Sequence, residues 1–253
     1  MGIPRFNLWF YEPSYMATYL SFWLSLSAYK LFICGNASYL KDVLINVVML
    51  VISTSTAGFI AIALVLVLVY AMWLAKGISK KKVISLIVIV VLLVAFCIVF
   101  SDLVEVFIGR LFGGDLDGAS GGRIQGWSET FKIFLEKPIF GVGPGNYGLY
   151  VYNDAEIVPT NVTLELMATL GIFSTIAFYS LTYVLIRKAR KLNKKLKTKQ
   201  SKTLIAIAFG LIIFTIILQF NQGYLRLYHW MILGVLSGAI KELNRKTSCK
   251  IKD

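Results

Sequence analysis

Long runs of apolar residues, separated by shorter polar segments, dominate this sequence. Hydrophobic residues make up 57% of its 253 positions and only 15% are charged, and the mean hydropathy is +0.73. A helix needs about 20 mostly apolar residues to cross about 30 Å of hydrocarbon. Several runs meet or approach this length, so the sequence predicts an all-α, polytopic membrane protein.

Seven runs are predicted to span the bilayer. They cover residues 13–33, 39–53, 57–75, 83–100, 161–186, 203–220 and 224–240. The second and the seventh are short, so we expect a break, a re-entrant turn or an unusual tilt there. The predicted organisation is four N-terminal spans in residues 1–100, one large extracytoplasmic loop in residues 101–160, and three C-terminal spans with a basic tail in residues 161–253.

Basic residues are unevenly divided between the two predicted sides of the membrane. Most of the 26 Lys and Arg residues follow the first, third, fifth and seventh spans. By the positive-inside rule this side is cytoplasmic, which places the N-terminus and the 101–160 loop outside and the C-terminus inside. The net charge of +13 is then explained by topology or by contact with anionic lipid, and nucleic-acid binding is not predicted.

The 101–160 loop is polar and glycine-rich, and its many aromatic residues predict that it folds against the outer membrane surface. Within it, apolar side chains recur at spacings of three and four over residues 124–135. This pattern predicts a short amphipathic helix that ends before Pro138. The glycines that follow permit positive φ and close approach of a ligand to backbone amides, and a purely structural turn is an equal alternative.

Three stretches of the chain together resemble the O-antigen ligase and polymerase family. They are Arg-x-x-x-Trp from Arg123 to Trp127, Phe-x-x-x-Pro-Ile-Phe-Gly-Val-Gly-Pro-Gly-Asn over residues 134–146, and Thr-Asn-Val-Thr-Leu-Glu-Leu-Met-Ala-Thr-Leu-Gly over residues 160–171. Residues 10–14 and 53–58 also lie where that family has an exposed helix entry and a polar helix hairpin. Members commonly have ten or more spans, so the chain resembles their C-terminal part.

The resemblance implies an enzyme of the bacterial inner membrane with an architecture like that of the C-type glycosyltransferases. Members transfer a glycan from an undecaprenyl-pyrophosphate carrier to an acceptor glycan, with no cofactor and no required metal. The implied partners are therefore the lipid-linked donor, the acceptor and the lipid bilayer, together with a chain-length regulator and a flippase.

Two positions depart from the family pattern. Ligases carry a His before the Asn, where this chain has Thr160, and many members carry an Arg in the hairpin, where it has Thr56. A base near the acceptor hydroxyl helps to remove its proton. The absent His therefore favours a polymerase of O-antigen, capsule or exopolysaccharide repeats, with a carboxylate as the substitute base. A ligase acting on lipid A core, a transporter of lipid-linked glycan and an inactive truncated product stay open as alternatives.

Arg123 and Glu165 are the predicted catalytic residues. An Arg on the outer side suits bidentate contact with the leaving pyrophosphate, whose charge grows as the anomeric bond breaks. Snorkelling at the interface, or pairing with Glu129, is the alternative for Arg123. Glu165 follows the start of a membrane helix, where ionisable groups are costly and usually face a cavity. It is a candidate base or sugar ligand, and a packing hydrogen bond or an interfacial position is an equal alternative.

Substrate-binding residues are predicted in the loop and at the outer helix ends. They are Glu12, Gly143, Gly145, Asn146, Asn161, Arg226 and His229. Asn161 would bind sugar or phosphate, or else cap a helix. Arg226 and His229, three apart and thus expected on one helical face, would supply a cation and a proton acceptor, although an aromatic belt also explains them. Glu12 is either a cavity carboxylate or a charge at a helix N-terminus.

Overall fold

A computed structural model of the chain describes residues 12–75, 77, 98, 123–153, 159–221 and 224–249. Within these ranges the regular elements are helical and no strand occurs, so the all-α prediction is confirmed there. The main helices are α1 (Pro13–Ala28), α2 (Leu40–Ile52), α3 (Thr56–Leu74), α4 (Arg123–Glu136), α5 (Tyr147–Tyr152), α6 (Val162–Leu196), α7 (Lys199–Ile217) and α8 (Leu227–Cys249). A π-helical turn (Tyr29–Ile33) and 3-10 turns at Ala37–Tyr39 and Leu218–Phe220 complete them.

Three of the described helical segments are long and apolar enough to cross a membrane. They are Thr56–Leu74, Val162–Leu196 and Lys199–Phe220, which coincide with the predicted third, fifth and sixth spans. Helix α1 with its π-helical turn covers the first predicted span, α2 covers the second with 13 residues, and α8 contains most of the seventh. The predicted span 83–100 lies outside the described residues except for Ile98, so the seven-span topology stays a prediction.

Helix α7 lies at the centre of the assembly and packs against α1, α3, α6 and α8. Its most apolar window is 61% buried, against 28% for α3 and 33% for α6. Among its fully buried side chains are Leu211, Ile213, Phe214 and Ile217. Lipid tails are as apolar as these side chains, so the hydrophobic effect does not drive helices together in a membrane. Helices there associate through close van der Waals packing instead. Helices α3 and α6 therefore present most of their surface outward, and α7 is the core of the protein.

Small residues allow α1 to approach its neighbours closely. A Cβ on Gly58 of α3 would lie 3.4 Å from the Cβ of Ala17, and a Cβ on Gly210 of α7 would lie 2.8 Å from the Phe22 ring. Small residues are common at such helix crossings in membranes. The close contact holds α1 against α3 and α7, which fixes the position of its N-terminal end.

The polar hairpin expected at residues 53–58 is the turn between α2 and α3. The Ser53 hydroxyl donates to the carbonyl of Leu50 at 2.6 Å and accepts from the N–H of Ser55 at 3.3 Å. Both serines are buried. Because buried polar groups need partners, these bonds explain why serines are tolerated there. We call the end of the assembly that carries this turn the outer end, after its predicted side.

Candidate functional site

Gly171 divides α6 into a short outer part, residues 162–170, and a longer part that continues to Leu196. Its φ of +77° and ψ of −179° are non-helical. A Cβ at this position would lie 1.9 Å from the carbonyl oxygen of Ile139, so only glycine fits. The break leaves main-chain groups on both sides of Gly171 without their helical hydrogen bonds.

The glycine-rich loop segment fills this break. Three hydrogen bonds of 2.9 Å each connect the two main chains: from Val142 N–H to the Ala168 carbonyl, from Gly143 N–H to the Thr169 carbonyl, and from Ile172 N–H to the Pro138 carbonyl. Non-helical backbone at membrane depth requires such internal partners. Residues 138–143 and 168–172 therefore form one unit, which we call the loop–helix joint.

Three loop residues predicted to bind substrate, Gly143, Gly145 and Asn146, have structural roles in or next to this joint. Gly143 and Gly145 have φ values of +98° and +78°. The Gly143 N–H already donates its hydrogen bond to the Thr169 carbonyl. The Asn146 side-chain amide donates to the carbonyl of Val142 at 3.1 Å. The structural-turn alternative thus accounts for Gly143 and Asn146, and a ligand contact to Gly145 stays a prediction.

Helix α4 confirms the predicted amphipathic helix, extending it by one residue at each end. The buried side of α4 is not the row of apolar residues, at spacings of three and four, from which the helix was predicted. Thr130 and Ile133 are buried, whereas Phe131 is 45% exposed. The reason is Tyr147 of α5, which packs on Ile133 and whose hydroxyl accepts from the Thr130 hydroxyl at 3.1 Å. The exposed aromatic side is the one available to contact lipid.

Two further tyrosines of α5 hydrogen-bond to carboxylates of α4. The Tyr150 hydroxyl donates to Glu136 at 2.9 Å, and the Tyr152 hydroxyl donates to Glu129. Both bonds raise the pKa of the tyrosine above its ordinary value, because loss of the phenol proton would place two negative charges together. Glu129, the alternative partner considered for Arg123, is thus engaged by Tyr152.

Arg123 is the first residue of α4, one turn before Trp127. The Trp127 indole N–H donates to the hydroxyl of Thr160 at 3.3 Å, which connects the beginning of α4 to the residue just before the α6 cap. This contact brings the main chain of Arg123 to the outer end of α6. Its side chain lies outside what the structure describes, so its role stays a prediction.

Glu165 is buried in the first turn of α6, with 8% of its surface exposed. Tyr224, just before α8, lies within electrostatic reach of this carboxylate and close to Thr169, one turn further along α6. The Tyr224 hydroxyl is buried and makes no well-formed hydrogen bond with the residues that the structure describes, although the Thr169 side chain lies near it. A buried hydroxyl without a partner is costly. Glu165 and Tyr224 therefore supply two buried polar groups at the outer end of α6, where a substrate hydroxyl could bind.

The position of Tyr224 near Glu165 is the main site feature that the sequence analysis did not indicate. No local pattern could have shown it, because the two residues are far apart in the chain. The structural alternative for Glu165 also has support, since a carboxylate in the first turn of a helix complements the helix dipole.

Asn161 caps α6 with its side-chain oxygen and connects it to the turn that follows α7 with its side-chain nitrogen. The oxygen accepts from the N–H of Leu164 at 3.0 Å, and the nitrogen donates to the carbonyl of Gln219 at 3.0 Å. An N-cap of this kind is worth about 1 kcal/mol. The capping alternative therefore accounts for the placement of Asn161, and a substrate contact by its second amide N–H stays a prediction.

The expectation that Arg226 and His229 share one helical face is wrong. Helix α8 begins at Leu227, after Arg226. The Arg226 guanidinium lies 3.6 Å from the ring centroid of Tyr15. His229 is fully buried and stacks on Phe178 and Phe214, with ring centroids 4.7 and 5.6 Å away. The two side chains therefore lie in different environments, and that of His229 is apolar.

Glu12 precedes the first turn of α1 and is exposed. Its carboxylate accepts from the Ser14 hydroxyl at 3.1 Å. The side-chain amide of Asn221, after α7, donates to the Ser14 carbonyl at 3.0 Å and to the Thr18 hydroxyl at 2.8 Å. Because Arg226 lies on Tyr15 of the same helix turn, the structure brings Glu12 and Arg226 to the same outer end as Glu165.

Comparison with known proteins identifies a family for this chain. A family model described as O-antigen ligase matches residues 43–179, more than half of the chain. The match covers most of α2, all of α3, the loop with α4 and α5, and the outer part of α6 with the whole loop–helix joint. A search of curated proteins finds no match. The resemblance inferred from the loop motifs is thus confirmed, and the chain belongs to the O-antigen ligase family of membrane glycosyltransferase-like enzymes.

Proposed function

We propose that the protein is a polysaccharide polymerase. In this proposal it transfers a glycan from an undecaprenyl-pyrophosphate carrier to an acceptor sugar at the outer face of the inner membrane, without a metal. The observation that carries the choice of polymerase is Thr160, which stands where ligases carry a His and whose hydroxyl is bonded to Trp127. A hydroxyl cannot act as the base that a His supplies.

Glu165 is the proposed base. It lies five residues after Thr160, in the first turn of α6. It is buried and within electrostatic reach of Tyr224. The acceptor hydroxyl would form the new bond to the anomeric carbon while its proton passes to Glu165. The bond from the anomeric carbon to the carrier oxygen breaks at the same time, and its electron pair leaves with the pyrophosphate.

Arg123 and Arg226 are the proposed cations for the leaving pyrophosphate. Arg123 is the first residue of α4, near the beginning of α6. Its planar guanidinium suits bidentate contact with two phosphate oxygens. Arg226 is held against Tyr15, which limits the freedom of its guanidinium before any ligand binds. A fixed cation near developing negative charge stabilises the transition state more than the ground state. Asn161 and His229 are assigned to capping and packing.

The proposal includes seven spans, an outer N-terminus and a cytoplasmic C-terminus. This orientation places the polar hairpin, the 101–160 loop, Glu165 and Arg226 on one side of the membrane, where the lipid-linked donor would be exposed. A flippase would deliver that donor, and a chain-length regulator would act on the product.

Deleting the gene in its host distinguishes the reaction classes. If the protein is a polymerase, single repeat units should stay on the carrier or on the surface acceptor, and long polymer should disappear. Long polymer retained on the carrier lipid would indicate a ligase instead. Loss of lipid-linked glycan from the outer leaflet would indicate a transporter.

A further inference from the structure

A cleft lined by four lysines lies between α6 and α8. It is at the opposite end of α6 from Glu165, which we call the inner end. Its volume is about 530 Å³. The polar residues that line it are Lys188, Lys191, Lys195, Ser237, Lys241 and Asn244. Lys188, Lys191 and Lys195 follow each other at spacings of three and four, so they share one face of α6. We call this feature the lysine cleft.

The positive charge of the lysine cleft is not balanced by the described part of the chain. The carboxylate nearest along α8, Glu242, is held by Arg245 at 3.0 Å and by Lys246 at 3.4 Å. Neither of these ion pairs involves a lysine of the cleft. Four ammonium groups around one cavity repel each other, so an anion bound there would relieve this repulsion.

The lysine cleft lies at the level of lipid headgroups. The apolar part of α6 ends at Ile186 and that of α8 at Ile240, and the first cleft lysines, Lys188 and Lys241, follow within two residues. The cleft also has apolar walls, formed by Leu185, Leu192 and Ile240, which are buried. Lysines at such a boundary extend their ammonium groups toward the headgroups.

We propose that the lysine cleft binds the phosphate of an anionic phospholipid from the cytoplasmic leaflet. Lysine ammonium groups bind phosphate oxygens as point charges, and basic pockets between membrane helices on the cytoplasmic side bind anionic headgroups. Apolar walls beside the charges suit a ligand that continues into acyl chains, which a soluble phosphate lacks. Side chains further into the membrane on the same helices, such as Val184 and Val235, are exposed and available to those chains.

The test compares lipid binding by the parent protein and two double variants in detergent, with native mass spectrometry as the readout. The cleft variant is Lys191→Gln with Lys241→Gln, which removes one charge from each helix. The matched control is Lys194→Gln with Lys202→Gln, which removes the same charge from the same end of the protein outside the cleft lining. The probes are phosphatidylglycerol, phosphatidylcholine with the same acyl chains, and inorganic phosphate.

Each lysine near an anionic lipid contributes about fivefold to affinity, so the cleft variant should bind phosphatidylglycerol roughly 25-fold more weakly than the parent protein. The control variant should bind it like the parent protein, and phosphatidylcholine should bind weakly to all three. Equal losses in both variants would overturn the proposal, because they would show a general charge effect. Retention of inorganic phosphate with no preference for phosphatidylglycerol would overturn the assignment to lipid.

Discussion

The carbonyl oxygen of Ile139 occupies the space that a side chain at Gly171 would need, because a Cβ there would lie 1.9 Å away. The loop and the broken helix are therefore one structural unit, although they are separate motifs in the sequence. The break allows Val142 and Gly143 to bond to α6 within two turns of Glu165. The position of the proposed base thus depends on the loop that also carries Arg123.

Replacing Gly171 with Ala should destabilise the protein. The new Cβ would clash with main-chain atoms, and an L residue is strained at this positive φ, so we expect a loss of roughly 2–5 kcal/mol. Thermal unfolding of the purified protein in detergent measures this effect. Gly238→Ala is the matched control, since nothing lies within 4 Å of a Cβ there. An unfolding temperature for Gly171→Ala equal to that of the parent protein would contradict the proposed joint.

Tyr150 and Tyr152 should ionise at higher pH than ordinary tyrosines, because their bonds to Glu136 and Glu129 raise their pKa. A raised pKa in the folded protein means that these bonds stabilise it at neutral pH and lose that effect as pH rises through the raised values, above about 10. Phenolate absorbance during alkaline titration measures this.

In that titration, Glu136→Gln should lower the pKa of Tyr150, and Glu129→Gln should lower that of Tyr152. Glu242→Gln is the control, since its carboxylate pairs with Arg245 and Lys246. Unchanged titrations in the first two variants would show that the hydrogen bonds between α4 and α5 do not form.

Glu165→Gln should reduce the polymerisation rate about 100- to 10,000-fold, the range for loss of a general base. Tyr224→Phe should reduce it by only about 2- to 10-fold, as expected for one neutral hydrogen bond to substrate. It should not lower thermal stability, because the buried Tyr224 hydroxyl makes no well-formed hydrogen bond with the described residues. Full activity of a folded Glu165→Gln protein would exclude Glu165 as the base.

Cysteine accessibility checks the orientation. In a variant lacking the native cysteines, Cys at position 120 should react with an impermeant reagent from outside, and Cys at position 195 should react only after the inner side is exposed. Reaction of both positions from the same side would contradict the topology and the site assignments that depend on it.

Hydropathy and spacing predicted much of this fold, because they report local properties. The α4 boundaries were predicted to within one residue. Helix α6 continues ten residues beyond the predicted span, since hydropathy locates the membrane edge and not the helix end, and Lys, Arg, Leu and Ala continue a helix well in water.

Features that depend on distant contacts could not be predicted. The break at Gly171 is set by Ile139, and the position of Tyr224 is set by packing against α6. The error for Arg226 and His229 came from assuming a helix before Leu227, where α8 begins. Local spacing thus identified the site segments but not how they meet.

The most direct test of the central claim is polymerisation by the purified protein, supplied with carrier-linked repeat units and followed by product length. Arg123→Ala should slow polymer formation about 100- to 1000-fold, the cost of losing one preorganised electrostatic donor. Arg123→Lys should restore only part of the rate, because it keeps the charge but loses the fork. Lys132→Ala, which removes an exposed cation from the same helix, should leave the rate unchanged. A stably folded Arg123→Ala protein that makes polymer at the parent rate would contradict the account.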